Sequence, residues 1–399
     1  MSKIAILGFG VVGSGVAELL AQNTQKITHS ANDEISLKYL LDIRSFPDSP
    51  FADKFVTDFA QIENDPEVQV VVEAMGGVGA AYDFTKRALL AGKNVVTSNK
   101  ELVAAHGHEL LTIAKDKNVN YLFEASVGGG IPLIRPISQC LAANEITEIC
   151  GIINGTTNYM LTEMGTKGLP FSVALQEAQA LGYAEADPTA DVEGHDACRK
   201  ICILASLCFG QHVYPADVPA EGITKVTPAD LAYAQAAGYK IKLLGRARRT
   251  EDGKVAAYVA PHLISTSNIL SHVDGVFNGI QVRGNATGNV MFCGPGAGKF
   301  PTASAVMADV IDCVKHLNTR KFLAWGAGGS ELSADPLALE TRWYIRTPIG
   351  GEKAFDQVET LPGGADSAEI AFLIGPISQK ALAPKLEAAG ALSAFRILE

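Results

Sequence analysis

Lys3-Ile4-Ala5-Ile6-Leu7-Gly8-Phe9-Gly10-Val11-Val12-Gly13 is the stretch that decides the fold. A short apolar run passes directly into G-x-G-x-x-G, and a helical pattern follows from Gly13 to about Gln22. A glycine triad alone is a weak signal. The strand before it and the helix after it give each glycine a task. Gly8 permits the tight turn, Gly10 lets the backbone approach a pyrophosphate, and Gly13 allows close helix–strand packing with the helix N-terminus facing the anion. Gly8, Phe9, Gly10, Val12 and Gly13 are therefore the expected cofactor-binding residues of the turn, a glycine-rich turn without nucleotide being the plain alternative.

Outward from this turn, strand and helix signals alternate. Leu37–Asp42, Val68–Ala74, Asn94–Thr97 and Asn120–Ala125 read as strands, with helices at Tyr82–Ala91 and Glu101–Lys117 between them. Buried runs of this length separated by helices predict a parallel sheet covered on both faces, with right-handed crossovers. From about Ile131 the texture changes. Strands near Ile146–Ile153 and Lys254–Ile264 flank helices expected at Ser172–Leu181, Ala197–Cys208 and Pro228–Leu243, which predicts a second α/β domain with a mixed sheet. A helix from Ala303 to Leu317 has Thr302 as its cap. The tail reads strand Trp343–Arg346, strand Ala368–Leu373, helix Gln379–Ala389 and strand Ala394–Leu398, with no clear structure from Gly350 to Asp366.

A chain of 399 residues suggests two or three domains, and 47% hydrophobic against 19% charged residues excludes disorder. With 33 basic and 43 acidic side chains the formal charge is −10, and there is no long basic run. Nucleic acid and anionic membrane are thus not expected partners, although a local basic pocket for one phosphate is compatible. Ile201–Phe209, the longest strongly apolar stretch, is far short of the ~20 residues that span a bilayer. No signal peptide precedes the first strand, and Cys140, Cys150, Cys198, Cys202, Cys208, Cys293 and Cys313 complete no zinc-like spacing. Buried thiols in a reducing, cytoplasmic setting are the expectation.

Two positions bear on cofactor choice. Asp42, at the end of the second strand, suits the two free ribose hydroxyls of NAD, while Arg44 can instead pair with the 2′-phosphate of NADP. Thr97-Ser98-Asn99-Lys100 follows the fourth strand at the carboxyl edge, where ligands bind. Ser98 and Lys100 are expected near the reacting end of the cofactor. A solvated lysine at a helix start capped by Asn99 is the equal alternative.

Six spaced blocks then resemble homoserine dehydrogenase: the glycine turn, Thr97–Lys100, Glu124-Ala125-Ser126-Val127-Gly128-Gly129-Gly130-Ile131-Pro132, Asn154-Gly155-Thr156-Thr157-Asn158-Tyr159, Gly182-Tyr183-Ala184-Glu185-Ala186-Asp187-Pro188 and Asp196-Ala197-Cys198-Arg199-Lys200. Gly294–Gly298 and Pro301–Ala305 also resemble the family, so the match runs in order over about 1–320. The resemblance implies an enzyme of threonine and methionine biosynthesis that reduces L-aspartate 4-semialdehyde to L-homoserine with NADPH or NADH. It implies the monofunctional form, as a homodimer or homotetramer. Its architecture would be a Rossmann domain over 1–132, a substrate, catalytic and dimerisation domain over 133–300, and a helix over 301–325 returning to the nucleotide domain. Over 340–399 the tail resembles a truncated α+β ACT-like domain, whose first helix has no counterpart between Thr347 and Asp366. That departure leaves threonine feedback inhibition open.

Hydride addition to an aldehyde builds charge on its oxygen, so a cation or proton donor belongs there. Lys200 is the expected donor, with Lys100 sharing the task and Asp196 orienting, since Asp196 and Lys200 lie i,i+4 on one helix face. A lysine with an unperturbed pKa of about 10.4 needs desolvation to be a fast acid near neutrality, or acts electrostatically while water carries the proton. By resemblance Glu185 and Asp196 bind the substrate ammonium. Asp187, Asp191 and Glu193 read equally well as a solvated loop. Gly182 and Gly298 are expected near the cofactor. The 124–131 segment resembles a hinge holding a sodium-like monovalent cation through Glu124 and the carbonyls of Val127, Gly129 and Ile131, oxygen-only ligation of the kind hard cations prefer. A simple glycine hinge is the alternative. His195 adjoins Asp196 but has no matching partner, and no cysteine fits a catalytic-thiol motif, which argues against an acylating semialdehyde dehydrogenase. An NAD-sensing protein without chemistry, or another amino-acid dehydrogenase such as a saccharopine-reductase-like enzyme, are the competing readings.

Overall fold

The structure, a computed structural model, describes residues 1–317, 319–321, 323–363 and 368–399. The first part of the chain runs β1 (Ser2–Leu7), α1 (Val11–Gln22), α2 (Thr24–Ala31), β2 (Ile35–Leu41), β3 (Phe55–Val56), α3 (Ala60–Glu63), β4 (Val68–Glu73), α4 (Gly79–Leu90), β5 (Asn94–Thr97), α5 (Lys100–Asp116) and β6 (Tyr121–Leu122). The second continues with β7 (Ile146–Ile152), α6 (Gly155–Lys167), α7 (Phe171–Ala180), α8 (Thr189–Val192), α9 (His195–Phe209), α10 (Pro228–Ala236), β8 (Tyr239–Arg249), β9 (Val255–Ser265), β10 (Phe277–Gly284), β11 (Gly288–Pro295) and α11 (Lys299–Lys315). The tail holds β12 (Glu340–Pro348), β13 (Glu359–Thr360), β14 (Glu369–Ser378), α12 (Gln379–Ala388) and β15 (Ser393–Leu398).

Among the described residues the chain divides into two compact units. The first comprises Met1–Asn144, Cys202–Tyr214 and Gly294–Gly328; the second comprises Glu145–Ile201, Pro215–Cys293 and Gly329–Glu399. This departs from the expected domain boundaries. Residues 133–144 belong with the first unit, the division falls inside α9, and 340–399 is not set apart from the catalytic unit.

The first unit carries a six-stranded sheet in the order β3-β2-β1-β4-β5-β6, parallel at each pairing. That is the Rossmann order, whose reversal beside β1 opens a ligand crevice at the carboxyl ends of the strands. Val70, Val71, Val72, Val95 and Val96 are fully buried, as strands covered on both faces require. The helix α11 lies along α1 at Gly15, where a Cβ would come within 2.9 Å of the Lys299 side chain. The polar stretch after Gln22 forms the helix α2, which the sequence did not announce, and only Tyr121–Leu122 of the expected fifth strand is strand before a 3-10 turn at Glu124–Ser126.

The second unit carries a nine-stranded mixed sheet, β11-β10-β7-β8-β9-β15-β12-β14-β13. One helix was expected from Pro228 to Leu243. It ends at Ala236, because Gly238 takes a positive φ of 77° and Tyr239–Arg249 then alternates as β8. The strands β10 and β11, not expected from the sequence, complete that end of the sheet. At the other end β15 pairs in parallel with β9, so the tail extends the large sheet instead of forming its own. Between β12 and β13 the chain makes one 3-10 turn, Gly351–Ala354, in the segment expected to lack structure, of which 364–366 lies outside the described residues. No helix among the described residues is long and apolar enough to cross a membrane.

Candidate active site

The residues expected to act fall into two groups, one in each unit. In the first unit, the chain leaves β1 into the glycine turn, where the Gly8 N–H donates to the Leu41 carbonyl at 2.7 Å. Gly8 has φ +90°, and a Cβ there would lie 2.8 Å from the Ala74 carbonyl oxygen. At Gly13 a Cβ would fall 1.9 Å from the Gly8 oxygen, so the start of α1 closes on the turn. Gly10, which caps α1, is different: nothing lies within 4 Å of where its Cβ would be. The protein itself does not need a glycine there, whereas a pyrophosphate against the α1 N-terminus does. A cavity of about 400 Å³ opens beside it, lined by Gly8, Gly10, Asp42, Arg44, Met75 and Gly76 among others. These residues fit a dinucleotide.

At the end of β2, Asp42 accepts the Phe9 N–H at 2.7 Å and pairs with the Arg44 guanidinium at 2.9 Å. The Arg44 hydrogen bonds hold its carboxyl at about 2, against a smaller opposing effect of burial. At the end of β5, Asn99 accepts the Leu102 N–H at 3.1 Å, so it does cap α5, with Lys100 as the first helical residue. The sequence reading missed Glu73. It is buried, accepts the Thr97 hydroxyl and, at 2.8 Å, the Met75 N–H, and so ties the segments after β4 and β5 together beside Ser98. Burial pushes its carboxyl up. Its one signal is a carboxylate closing a run of valines.

The 124–135 segment, also in the first unit, is closed on itself. Glu124 accepts the N–H groups of Leu133, Ile134 (2.8 Å) and Arg135 (2.8 Å) and donates its own N–H to Asp309 at 2.8 Å. Arg135 completes the ring through its guanidinium, 2.6 Å from Asp309. Burial, with the Glu124 charge nearby, pushes the Asp309 carboxyl up to about 8 against the pull of Arg135. Gly298, at the start of α11, is exposed with φ +120°.

In the second unit α9 brings Asp196 and Lys200 together as their spacing predicts. The Lys200 ammonium donates to Asp196 at 2.6 Å and to the Ile153 carbonyl at 2.9 Å, and its side chain is only 12% exposed. Asn154, which follows β7 and caps α6, directs its side-chain amide to Asp196 at 2.9 Å and to Asp191 at 2.7 Å. Asp191 is therefore no solvated loop residue. Burial, with Asp196 adding to it, raises its carboxyl against the Asn154 bond. Asp187 turns to Thr189, whereas Glu185, Gly182 and His195 are exposed and Glu193 is half-buried. Two carboxylates and a fixed ammonium within one buried network suit an amino acid's charged end and an oxygen that gains or loses a proton.

The family profile for homoserine dehydrogenase matches residues 132–311, and that for its NAD-binding domain matches 8–124. A homoserine dehydrogenase from Pseudomonas aeruginosa is 45% identical over 318 residues, covering 79% of this chain and 73% of its own. The chain belongs to the homoserine dehydrogenase family. A crystal structure of a homoserine dehydrogenase from Thiobacillus denitrificans superposes with a TM-score of 0.89 at 34% identity, over 100% of this chain and 98% of that one. A hyperthermophilic archaeal homoserine dehydrogenase in complex with NADPH superposes at 0.67 and 29% identity, over 78% of this chain and 97% of that one. This homoserine dehydrogenase is thus an NAD(P)-dependent oxidoreductase of amino-acid biosynthesis, interconverting L-aspartate 4-semialdehyde and L-homoserine. Family membership decides against the sensor and the other amino-acid dehydrogenases.

Proposed function

We propose that Lys200 gives the proton to the nascent alkoxide during reduction and, reversed, takes it from the homoserine hydroxyl. The observation that carries this is the fixing of its ammonium by Asp196 and the Ile153 carbonyl, which engages two of three N–H bonds and leaves one for a substrate oxygen. When bound, the nicotinamide supplies or accepts the hydride. Asp196 and Glu185 take the substrate ammonium, with Asp191 joined to Asp196 through Asn154, while Lys100 and Ser98 serve the cofactor's reacting end. Gly8, Phe9, Gly10, Val12, Gly13, Gly182 and Gly298 line the nucleotide's path, and Asp42 and Arg44 its adenine ribose. The test follows nicotinamide absorbance during L-homoserine oxidation with NAD⁺ and NADP⁺. Lys200→Ala should lower kcat by about 10²–10⁴-fold while nucleotide binding is unchanged. Near-normal turnover would remove the role.

The hinge is the proposed seat of a sodium-like cation, held by Glu124 and the carbonyls of Val127, Gly129 and Ile131. Glu124 fits, because three N–H bonds leave one of its roughly four acceptor directions, on Oε2. Turnover independent of sodium and potassium in a choline buffer would count against it. The tail order β15-β12-β14-β13 with α12 supports an ACT-like module lacking its first helix. A homodimer or homotetramer is proposed on the family resemblance, with sedimentation as its check. A cytoplasmic setting is proposed on the family resemblance, and the free thiols of Cys150, Cys198, Cys202 and Cys313, all buried, are compatible with it.

A further inference from the structure

In the second unit a cavity of about 210 Å³ opens between α6, α10 and the start of β8. Leu161, Leu231 and Ile241 give it apolar walls, and Lys240, Lys242 and Asp274 form a charged cluster in its lining. The two ammonium groups share one carboxylate, Lys240 at 2.7 Å from Oδ2 and Lys242 at 2.8 Å from Oδ1. Lys242 is buried and spends its other two N–H bonds on Asn158 Oδ1 at 2.9 Å and the Val273 carbonyl at 2.8 Å. Lys240 is half-exposed and gives one N–H to Asp274, leaving two. The remaining lining residues are uncharged, so the cavity carries one surplus positive charge. Gly165, inside α6, borders the same space. A glycine there weakens the helix relative to alanine, yet its φ is not positive, and the atom nearest to an added Cβ is Leu231 Cδ2 at 3.9 Å.

The geometry points to an effector site in this cavity for a monocarboxylate with a short aliphatic body, acting on the homoserine site through α6. The carboxylate takes the two remaining N–H bonds of Lys240 and offsets the surplus charge. The aliphatic body lies against Leu161, Leu231 and Ile241, and the missing side chain at Gly165 makes room for it. The route to the substrate stays within the second unit. The helix α6 begins at Asn154, which holds Asp196 and Asp191. One turn on, Asn158 accepts from Lys242 and donates to the carbonyls of Val273 at 3.0 Å and Phe277 at 3.1 Å. A turn further, Thr162 lines the cavity and accepts the N–H of Gly275, the neighbour of Asp274, at 3.1 Å. The charged cluster and α6 are therefore one bonded network. A carboxylate that draws Lys240 from Asp274 leaves Asp274 to Lys242 alone, and the Lys242–Asn158 bond on the first turns of α6 takes up the change.

The coupling rests on reading Asp196 and Asn154 as part of the homoserine site; the binding does not, and the two are measured apart. Calorimetry on the full chain follows 4-methylpentanoate and its neutral amide, 4-methylpentanamide, with the wild type, Gly165→Leu and Lys240→Met. The wild type is expected to bind the carboxylate with a Kd of about 1 mM, ordinary for so small a ligand. Gly165→Leu fills the cavity without touching a charge and should weaken binding about tenfold or more. Lys240→Met, and the amide on the wild type, should each be about three- to tenfold weaker, as loss of a half-exposed charge pair allows. With the probe saturating, the KM for homoserine should rise about two- to fivefold in the wild type and stay unchanged in Gly165→Leu. No binding by the wild type, or equal binding by both variants, would overturn the site. Equal affinity for the amide would overturn the carboxylate class, and binding with an unchanged KM would overturn the coupling. A KM rise that persists in Gly165→Leu would put the probe in the substrate site and overturn the effector reading. Should Gly165→Leu fail to fold, Lys240→Met carries the same comparison.

Discussion

Gly10 and Gly13 lie in one turn, yet a methyl group added at each should fail in a different way. At Gly13 the new Cβ would meet the Gly8 oxygen at 1.9 Å, so Gly13→Ala should cost stability, by about 1–3 kcal/mol for an overpacked site. At Gly10 nothing lies within 4 Å, so Gly10→Ala should melt like the wild type and bind nucleotide more weakly. Equal melting losses in both would show that the turn, not the ligand, demands both glycines. The charge beside them carries a pH signature. Arg44 holds the Asp42 carboxyl at about 2, below the roughly 3.9 of an unfolded chain. A depressed value contributes stability that is fully present above about pH 4 and lost as pH falls toward 2. Acid melts of wild type and Asp42→Asn should therefore differ above pH 4 and converge near pH 2; coincident curves at pH 6 would remove the coupling. The tight turn at Gly8 and Gly13 was legible because it depends on local spacing, and so was the place of Asp42 at the end of β2. Asp191 was not, since a run of five carboxylates from Glu185 to Asp196 looks alike in sequence, and only Asn154, far back in the chain, separates the buried members from the solvated ones.

At the level of elements, strands β1, β4 and β5 and the helices α1, α4 and α5 could be read because each is a mostly buried run or an amphipathic turn pattern. The helix expected through Leu243 failed where two patterns abut: the alanine-rich run to Ala237 continues into alternating Lys240, Ile241, Lys242 and Leu243, and Gly238 alone marks the change. Lys242 became core because its ammonium finds Asn158, the Val273 carbonyl and Asp274, all distant in sequence. The start of α6 joins fold and site in one side chain. Asn154 accepts the Thr157 N–H at 2.9 Å as the cap and donates to both Asp191 and Asp196. Asn154→Ala should cost about 1 kcal/mol for the lost cap and raise the KM for homoserine, because two carboxylates then face each other without the amide between them. Nucleotide affinity should stay as it was. A stability loss with an unchanged homoserine KM would confine Asn154 to the helix.

For the whole molecule, the tail poses the question of what fastens the C-terminal segment to the second unit. Its strands continue the large sheet beside β9, and the register Arg396↔His262, Ile397↔Leu263 and Leu398↔Ile264 covers an edge that is buried along its length. The polar fastening is Asp230 on α10, which is 0% exposed. It accepts from Tyr344 at 3.0 Å, Arg346 at 2.7 Å, Thr227 at 2.7 Å and Ser393. Thr227 is the local partner, in a capping box with Asp230, but Tyr344, Arg346 and Ser393 lie more than a hundred residues on, so no local pattern announced them, and the tail read from sequence as a separate module. Arg346 pairs with both Asp230 and Glu369, which makes its burial tolerable, and removing the fully buried Asp230 charge leaves it under-compensated. Asp230→Asn keeps the shape and removes the charge facing Arg346, and should destabilise the chain by about 3–5 kcal/mol in urea unfolding. The KM for homoserine measured on the folded fraction should not move, because Lys200, Asp196 and Asn154 are untouched. Pairing the change with Arg346→Met should recover part of the loss, since it removes a buried guanidinium left with Glu369 as its carboxylate partner. A double variant no more stable than Asp230→Asn alone would mean that the tail is held by its strand pairing and apolar packing, with the buried charges contributing little.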